Sequence, residues 1–429
     1  MTSKRVLLLV VLCAVALTGC TARARGETPP PQPSLAQLPA ATDDGSGGNN
    51  GNGGDNGSGS SADPGDSGDD SGVDQLSFNP DASFVDAPQL TVQVAQFPNA
   101  RVVGFFAADV QNFYSDQELD VLVNPALPDV DPIAAMLVDD GTAPQFLFAP
   151  ALMVMKANAA GADFVNLAQI YQRSGMRIAS LAAAGITGPS QLPSLTSPLA
   201  VMPYGRDLDA LASLAAVGSK APSLKTETAN PFDPIGFVSG TPAAAQVTYE
   251  DEYAQILETT AAGDKLIDPA SVRLIDLSAA PLATLQEGIY ARASWLSQSG
   301  NDQIAVRFLA AALRGWIYCR DNLDDCAQIA FESGGDRPTQ HQKWALNETN
   351  ALIWPSPNGI GALDQVAWNQ TAQLGIAAGL FTEAPKPDAV RSDLVTAALA
   401  ALTDLDTTGT GFAKATVPIT AGGEDPPTQ

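Results

Sequence analysis

The chain has 429 residues, a hydrophobic fraction of 45% and a formal net charge of −25 at pH 7. This excess of negative charge argues against nucleic acid or anionic lipid as the partner of the folded body. The length is enough for two or three domains of about 100–200 residues each.

The first twenty residues have the pattern of a bacterial lipoprotein signal. Two basic residues precede an apolar run at residues 6–17, which is shorter than the ~17–25 residues of a membrane span. The run ends in Leu17-Thr18-Gly19-Cys20, which resembles a lipobox. We therefore expect residues 1–19 to be removed, Cys20 to be lipidated, and the protein to be anchored on the extracytoplasmic face of the cell membrane.

A tether is predicted between this anchor and the folded body. Residues 20–77 consist mainly of Gly, Asn, Ser, Asp and Pro. Such a segment buries too little apolar surface to offset the ~1–2 kcal/mol per residue that ordering costs. Its aspartates repel one another and extend the segment.

The folded body opens with alternating strands and helices. Strands are predicted at 90–94, 119–123, 146–148 and 164–170, and helices are predicted to begin after Asn99, Asp131 and Pro150. Strands joined through helices predict a parallel sheet with right-handed crossovers. Ligands of such sheets bind at the carboxyl ends of the strands.

A second set of alternating elements predicts a second lobe. It contains strands at 199–202 and 272–275 and helices at 207–217 and 249–257. The chain is expected to cross between lobes near Ile178 and near Ala280 and to return to the first lobe at 288–291. The predicted division is 88–180 and 281–404 for the first lobe, 181–280 for the second, and 405–429 for a loose tail.

Helices dominate the last third of the sequence. Asn301 and Asp302 are predicted to cap a helix whose stripe of Ala305, Leu309, Ala312 and Trp316 packs in the core. Further helices are predicted at 340–352, 363–378 and 392–402. Cys319 and Cys326 lie too far apart for a disulfide on one unbroken helix, about 10 Å along the axis. A helix break at 320–325 would allow a bridge, which an oxidising compartment favours over two free thiols.

Several short motifs, in order, resemble the NMT1/THI5-like group of extracytoplasmic solute-binding proteins, which capture ligands for ABC importers. The matching segments are residues 104–108, 113–114, 118–121, 149–152, 168–174, 306–309, 314–318 and 368–371. The resemblance implies an α/β, two-lobed periplasmic-binding-protein-like fold of type II, with a ligand cleft between the lobes. It also implies an ABC permease, and through it an ATPase, as partners.

Topology and resemblance together place the candidate ligand-binding residues just past strand ends. These candidates are Gln96, Phe97, Asn99, Ala149, Ala151, Tyr171, Gln172, Arg173, Ser174, Tyr204, Gly205 and Tyr249. The aromatic members can stack on a planar ring, and the amides can bond to its polar edge.

The ligand is expected to be a small heteroaromatic vitamin. Thiamine-pyrimidine binders of the group usually carry an Asp-Trp pair where this chain has Ala95-Gln96. A neutral isoalloxazine needs amide donors and acceptors more than a carboxylate, so riboflavin is the first expectation. A thiamine pyrimidine precursor of the formylaminopyrimidine or hydroxymethylpyrimidine type is the second.

Catalytic motifs are missing from the sequence. It has no phosphate-binding P-loop, no nucleophile elbow and no zinc-protease motif. Its single histidine, His341, is predicted to be a surface residue rather than a metal ligand. We therefore expect a binding protein without enzymatic activity, metal or cofactor. A sensor or adhesion lipoprotein that uses the fold as an interaction surface is the alternative from a different functional class.

Overall fold

The computed structural model describes residues 87–126, 131–139, 141–203, 205–218, 226–228, 232–261, 265–279 and 281–425. The predicted signal peptide, the Cys20 lipidation site and the tether lie outside these residues. Tyr204 and Ala280 also lie outside them. None of the helices in the described ranges is long and apolar enough to cross a membrane.

Two five-stranded sheets and one two-stranded ribbon organise the described residues. The strands are β1 Gln89–Val94, β2 Asp120–Asn124, β3 Phe146–Pro150, β4 Phe164–Gln169, β5 Met176–Leu181, β6 Leu199–Val201, β7 Thr226–Thr228, β8 Ala244–Thr248, β9 Thr260–Ala261, β10 Lys265–Leu266, β11 Val272–Asp276 and β12 Glu287–Arg292. The first sheet has the order β2-β1-β3-β12-β4 and the second β11-β5-β8-β6-β7. Each sheet, with the elements packed on it, is a lobe.

The four predicted strands β1, β2, β3 and β4 run in one direction, as predicted, but the first sheet is mixed because it also contains β12. β1 pairs in parallel with β2 and β3, as strands joined by helices should. The returning strand β12 inserts between β3 and β4 and is antiparallel to both. β12 arrives from the second lobe and follows no helical crossover within the first sheet. The rule that such crossovers join parallel strands therefore does not fix its direction.

The second sheet contains strands that the sequence pattern did not indicate. β5 and β8 lie side by side in its centre, and the predicted crossing at Ile178 is in fact a buried position within β5. The chain passes between the sheets at residues 170–175 and again at 277–286. These two segments are the covalent connections between the lobes.

Twelve α-helices occur in the described ranges. They are α1 Val103–Val110, α2 Pro132–Met136, α3 Ala151–Ala159, α4 Asp207–Ala216, α5 Pro234–Val238, α6 Glu252–Glu258, α7 Ala293–Leu296, α8 Asn301–Asp321, α9 Leu323–Glu332, α10 Thr339–Ile353, α11 Gln365–Ala377 and α12 Ser392–Ala400.

The predicted caps are right at α2 and wrong at α1 and α8. Asp131 accepts a hydrogen bond from the backbone N–H of Ile133 and caps α2. Asn99 precedes α1 by several residues, and Val102 occupies the cap position without a side-chain bond. Asn301 is the first residue of α8 and follows Gly300, whose φ of 89° only glycine adopts readily.

α1 and α8 cross at very close range in the first lobe. A Cβ on Gly104 of α1 would lie 2.2 Å from the ring of Trp316, and one on Gly315 of α8 would lie 2.1 Å from the carbonyl oxygen of Gly104. The predicted core stripe Ala305, Leu309, Ala312 and Trp316 is fully buried there. The glycines in the 104–108 and 314–318 motifs therefore let two helix backbones approach each other.

A disulfide closes the turn between α8 and α9. Cys319 and Cys326 are bonded, with their Cα atoms 5.3 Å apart, so the bridge alternative is the one realised. The helix breaks at Asn322, as the polar residues 320–325 suggested.

The C-terminal segment is attached to the body, so the prediction of a loose tail was wrong for residues 405–425. The backbone N–H groups of Ser356 and Ile360 donate to the carbonyls of Thr408 and Thr407, each at 2.8 Å. Lys414 forms an ion pair with Glu348 on α10 at 2.8 Å. The Gly- and Pro-rich composition of this C-terminal segment gave no indication of these contacts.

The close helix crossing predicts that Gly104→Ala destabilises the protein. The added methyl group must displace the buried Trp316 ring, and overpacking of this kind costs about 1–3 kcal/mol. Gly188→Ala is the control, because Gly188 has a φ of −173° and no atom within 4 Å of its Cβ position. Urea unfolding should show a lower midpoint for Gly104→Ala alone. Equal midpoints for the two variants would contradict the described crossing.

Candidate functional site

A cavity of about 100 Å³ lies between the two lobes at the carboxyl end of β1. The first lobe contributes the residues that follow β1 and β2, and the second contributes the loop after β6, part of β8 and the start of α6. The lining residues are Ala95, Gln96, Phe97, Asn99, Ala126, Val201, Met202, Pro203, Arg206, Phe232, Gln246, Asp251, Glu252, Gln255, Asp336 and Arg337. This cavity, called the interlobe cleft below, is the candidate site.

Three of the residues singled out in the sequence line the interlobe cleft. Gln96 is 4% exposed, and its Oε1 has no hydrogen-bond partner among the described residues. Phe97 is 39% exposed, which leaves its ring free to contact a ligand. Asn99 is already engaged, because its Nδ2 donates to Asp251 at 3.1 Å and its Oδ1 accepts from the backbone N–H of Arg101.

Four other candidates pack against protein groups instead, three of them fully buried and Tyr249 half-buried. Ala149 and Ala151 have no exposed surface. The hydroxyl of Tyr171 donates to the carbonyl of Arg101 at 2.8 Å, and its ring packs against Trp316. Tyr249 packs against Tyr253 and Trp344. A residue at the end of a strand can pack in the core as readily as it can contact a ligand. Position at a strand end therefore did not distinguish core residues from ligand contacts among the candidates.

The motif 172–174 holds the first interlobe connection in place. Gln172 donates to the carbonyls of Gln169 and Ala362. The guanidinium of Arg173 donates to the carbonyls of Trp354 and Pro355 at 3.2 and 3.0 Å. The hydroxyl of Ser174 accepts from the backbone N–H of Met176. None of the three lines the cleft, and their role as ligand contacts stays a prediction.

The loop after β6 carries the second lobe's contribution. Gly205 has a φ of +81° and turns the chain towards Arg206. Gln246 on β8 fixes this loop, since its Oε1 accepts from the backbone N–H of Met202 and its Nε2 donates to the carbonyl of Arg206. The guanidinium of Arg206 lines the cleft and forms no hydrogen bond or ion pair with described residues. Glu252 and Glu287 lie close enough to act on it electrostatically.

A buried ion triad joins the lobes beneath the cleft. Arg101 Nε lies 3.1 Å from Glu250 of the second lobe, and its NH2 lies 2.6 Å from Glu287 on β12. All three side chains are at most 2% exposed. Burial raises the pKa of Glu250 to about 7, against the opposing effect of the Arg101 charge. Removing one member of such a group typically costs about 3–5 kcal/mol, since it leaves an uncompensated buried charge.

Gly175 makes room for this triad. A Cβ at that position would lie 1.9 Å from Oε2 of Glu250. The sequence offered one signal for the second-lobe half of the site, the three consecutive acids at 250–252 directly after a buried strand. Arg101 gave no signal, because its partners are about 150 and 186 residues away in the chain.

A further buried carboxylate faces the first lobe from α4. Asp209 is 0% exposed, and the hydroxyl of Thr284 lies close enough to interact with its carboxylate. Burial raises the pKa of Asp209 to about 7. Tyr290 of β12 is also fully buried, with the side chain of Asn166 beside its hydroxyl. The interface between the lobes is therefore polar well below the cleft.

The predicted surface position of His341 was wrong. Its side chain is 1% exposed and lies between two acids of the second lobe, with Nδ1 2.9 Å from Glu258 and Nε2 3.4 Å from Asp251. Burial lowers the pKa of the imidazole, but the hydrogen bonds and charges of Asp251 and Glu258 outweigh it and raise the pKa to about 9. Its own helix is polar, so only the tertiary partners could reveal the burial.

His341 in turn fixes a carboxylate of the cleft. Burial raises the pKa of Asp251, but the hydrogen bond and charge of His341 lower it to well below its usual range. Asp251 also accepts from Gln255 at 2.8 Å and from Asn99 at 3.1 Å. Within the described ranges, no group of three or more His, Cys, Asp or Glu is arranged to hold a metal ion.

Stability should depend on pH through His341. Because its pKa is raised from 6.5 to about 9 on folding, its stabilisation is complete below pH 6.5 and is lost as the pH rises through 9. His341→Gln should remove this term, so the stability difference from wild type should shrink between pH 6.5 and 10 by up to about 3 kcal/mol. Chemical denaturation at each pH measures it, with Lys343→Gln as control. A pH-independent difference would show that His341 is not charged in the folded protein.

Comparisons with known proteins agree with this architecture. The profile of the family described as NMT1/THI5 like matches residues 99–325, just over half of the chain. No curated protein matches the sequence.

Solved structures share the two-lobed fold at low sequence identity. A protein from Bordetella bronchiseptica RB50 is 16% identical, with a TM-score of 0.58 over 74% of this chain and 98% of the other. The nitrate-binding protein NrtA from Synechocystis PCC 6803 is 13% identical, with 0.52 over 78% and 92%. The alkanesulfonate-binding protein SsuA from Xanthomonas axonopodis pv. citri is 15% identical, with 0.51 over 71% and 98%. These likenesses establish an α/β periplasmic-binding-protein fold.

Proposed function

This chain belongs to the NMT1/THI5-like family, and from that premise we propose that it is the lipid-anchored, ligand-capturing subunit of an ABC importer. The observation that supports this role is the interlobe cleft. Polar side chains from both lobes converge there at strand ends, which is where open α/β sheets bind their ligands. The captured solute passes to a membrane permease that is driven by an ATPase.

The ligand proposed is a small heteroaromatic vitamin, with riboflavin first. Among the described residues, the amide oxygen of Gln96 and the guanidinium of Arg206 have no hydrogen-bond partner, so both can bond to a ligand. An isoalloxazine edge presents one ring N–H between two carbonyl groups, which matches an acceptor flanked by donors. Phe97 supplies an aromatic face on the first lobe, and Phe232 lines the opposite side.

The size of the cleft sets a requirement on this ligand. Drug-sized molecules occupy pockets of roughly 300–1,000 Å³. The cleft holds about 100 Å³, which is enough for one ring edge. Riboflavin binding therefore requires the lobes to separate about the two connections at 170–175 and 277–286.

A thiamine pyrimidine precursor is the second candidate, and two carboxylates favour it. Asp251 and Glu252 line the cleft and can accept hydrogen bonds from an exocyclic amine. They lie on the second lobe, whereas the Asp-Trp pair usual in thiamine-pyrimidine binders falls on the first lobe, where this chain has Ala95-Gln96. An aminopyrimidine is also smaller than a flavin and needs less opening.

The role proposed is binding without catalysis. The lining residues include no cysteine, serine or histidine, and the carboxylates Asp251 and Glu252 are proposed to accept hydrogen bonds from a solute rather than to act as bases. A sensor or adhesion lipoprotein remains the alternative of a different class. It would use an exposed surface, so it predicts no saturable ligand in the cleft.

Riboflavin binding should depend on the free amide of Gln96. Isothermal titration of the protein from about residue 76 with riboflavin, hydroxymethylpyrimidine, nitrate and an alkanesulfonate tests the ligand class. Gln96→Leu should weaken riboflavin binding about 2- to 15-fold, because one hydrogen bond is lost. Gln303→Leu is the control, since Gln303 is exposed on α8. Tighter binding of the pyrimidine would reverse the ligand order, and no saturable ligand would favour the sensor alternative.

Membrane attachment should depend on Cys20 alone. Cys20→Ala should move the protein from the membrane fraction to the soluble fraction, because the thiol is the proposed acceptor of the lipid. Ligand affinity should remain that of wild type. Fractionation followed by immunoblotting measures the distribution, with Cys13→Ala as control. Retention of Cys20→Ala in the membrane fraction would refute the lipobox interpretation.

A further inference from the structure

The C-terminal segment at residues 407–425, called the strap below, begins on the first lobe. Its first carbonyls accept hydrogen bonds from Ser356 and Ile360, just after α10. Gly409 faces Trp354 so closely that a Cβ would lie 2.5 Å from the indole. Phe412 packs on the hydrophobic cluster of the first lobe.

The strap then runs along α10. Asn347 pairs with Ala415 through two hydrogen bonds, with its Nδ2 donating at 3.0 Å and its Oδ1 accepting at 2.8 Å. Gln340 donates to the carbonyl of Pro418 at 2.7 Å. These contacts are spaced along two turns of the helix, so the strap follows α10 back towards its beginning.

The strap ends on the second lobe. Val417 and Ile419 pack against the hydrophobic cluster that contains Tyr253 and Leu257 of α6. Gly423 has a φ of +73°, and a Cβ there would lie 2.7 Å from the Cβ of His341 and 3.1 Å from Oε2 of Glu258. The turn at 421–423 therefore covers the buried pair of His341 and Glu258.

α10 has the same two-sided character. Leu346 and Ile353 lie in the cluster of the first lobe, whereas Trp344 lies in that of the second. His341 at its start contacts Glu258 and Asp251, and Asp251 receives a hydrogen bond from Asn99 of the first lobe. A chain of contacts thus runs from the strap through His341 to a carboxylate of the interlobe cleft.

We propose that the strap is a third connection between the lobes, which limits their separation and, through His341, holds Asp251 in position in the cleft. The positioning half of this inference rests on the proposed function, because it matters only if the cleft binds a solute. The limiting half is independent of any ligand. A segment that is noncovalently fixed to both lobes biases the equilibrium towards the arrangement in which both attachments are made.

The limiting half is tested on the ligand-free, full-length chain. Spin labels at Gln303→Cys on the first lobe and Lys265→Cys on the second report the interlobe distance by double electron–electron resonance spectroscopy. Ile419→Asp removes the apolar attachment to the second lobe, and truncation after Gly411 removes the rest of the strap. Val366→Asp is the matched control, because Val366 is 77% exposed on α11. A second control truncates the chain after Asp425.

Both strap variants should give a longer and broader distance distribution, and both controls should match wild type. Far-ultraviolet circular dichroism must show that each variant is folded. If Ile419→Asp fails to fold, Gly423→Val replaces it, because its side chain would clash with His341 and Glu258 where the strap ends on the second lobe. Unchanged distributions in folded strap variants would overturn the proposal, because the strap would then be only a surface attachment.

The positioning half is tested by riboflavin dissociation measured through flavin fluorescence. Truncation after Gly411 and His341→Gln should each speed dissociation about threefold or more, since the bound state loses a fixed carboxylate. Equal rates would overturn this half. If wild type binds no riboflavin and none of the other panel ligands, the proposed function fails, while the distance measurements still decide whether the strap limits opening.

Discussion

The arrangement of the two lobes depends on one buried guanidinium. Arg101 follows the first strand, yet its charge is balanced by Glu250 of the second lobe and by Glu287 of the returning strand. Neither acid is solvated, so each needs the arginine more than a surface acid would. The cleft above, the connection at Gly175 and the anchoring of Tyr171 on the Arg101 carbonyl all take their positions from this contact. It resists separation of the lobes unless water or a ligand group enters with the opening.

The polar character of the interface also accounts for what the cleft can select. Carboxylates outnumber guanidinium groups around Arg206, and Asp209 lies near enough to act on it electrostatically. A small inorganic anion would meet repulsion from these acids. A ligand with both donors and acceptors can use the same groups in full. The same fold in other proteins accommodates nitrate and an alkanesulfonate, so any ligand preference has to come from the side chains of the cleft rather than from the fold.

Many of the helices and strands could be predicted from local sequence patterns. The sheet order and several residues of the site depend on contacts between residues far apart in the chain. The cap at Asp131, the strands around Val92 and Phe148 and the stripe ending at Trp316 all follow from short-range periodicity. β5 and β8 were missed because strands buried on both faces lack alternation. Within the site, Gln96 and Phe97 were found from their place after β1, whereas Arg101, Arg206 and His341 were not. Their roles depend on acids far away in the chain, and no local pattern records such partners.

The central position of β12 constrains the order in which the protein can fold. β3 and β4 do not pair with each other in the first sheet. Each of them pairs with β12, residues 287–292, which lies between them. The second sheet, by contrast, is built entirely from residues 176–276. During synthesis the earlier strands therefore wait with open edges while more than a hundred later residues emerge. The contiguous second lobe is able to fold before the first is complete, and the slow search for long-range strand pairing falls to the first lobe. Chaperones would accordingly encounter an unfinished first sheet.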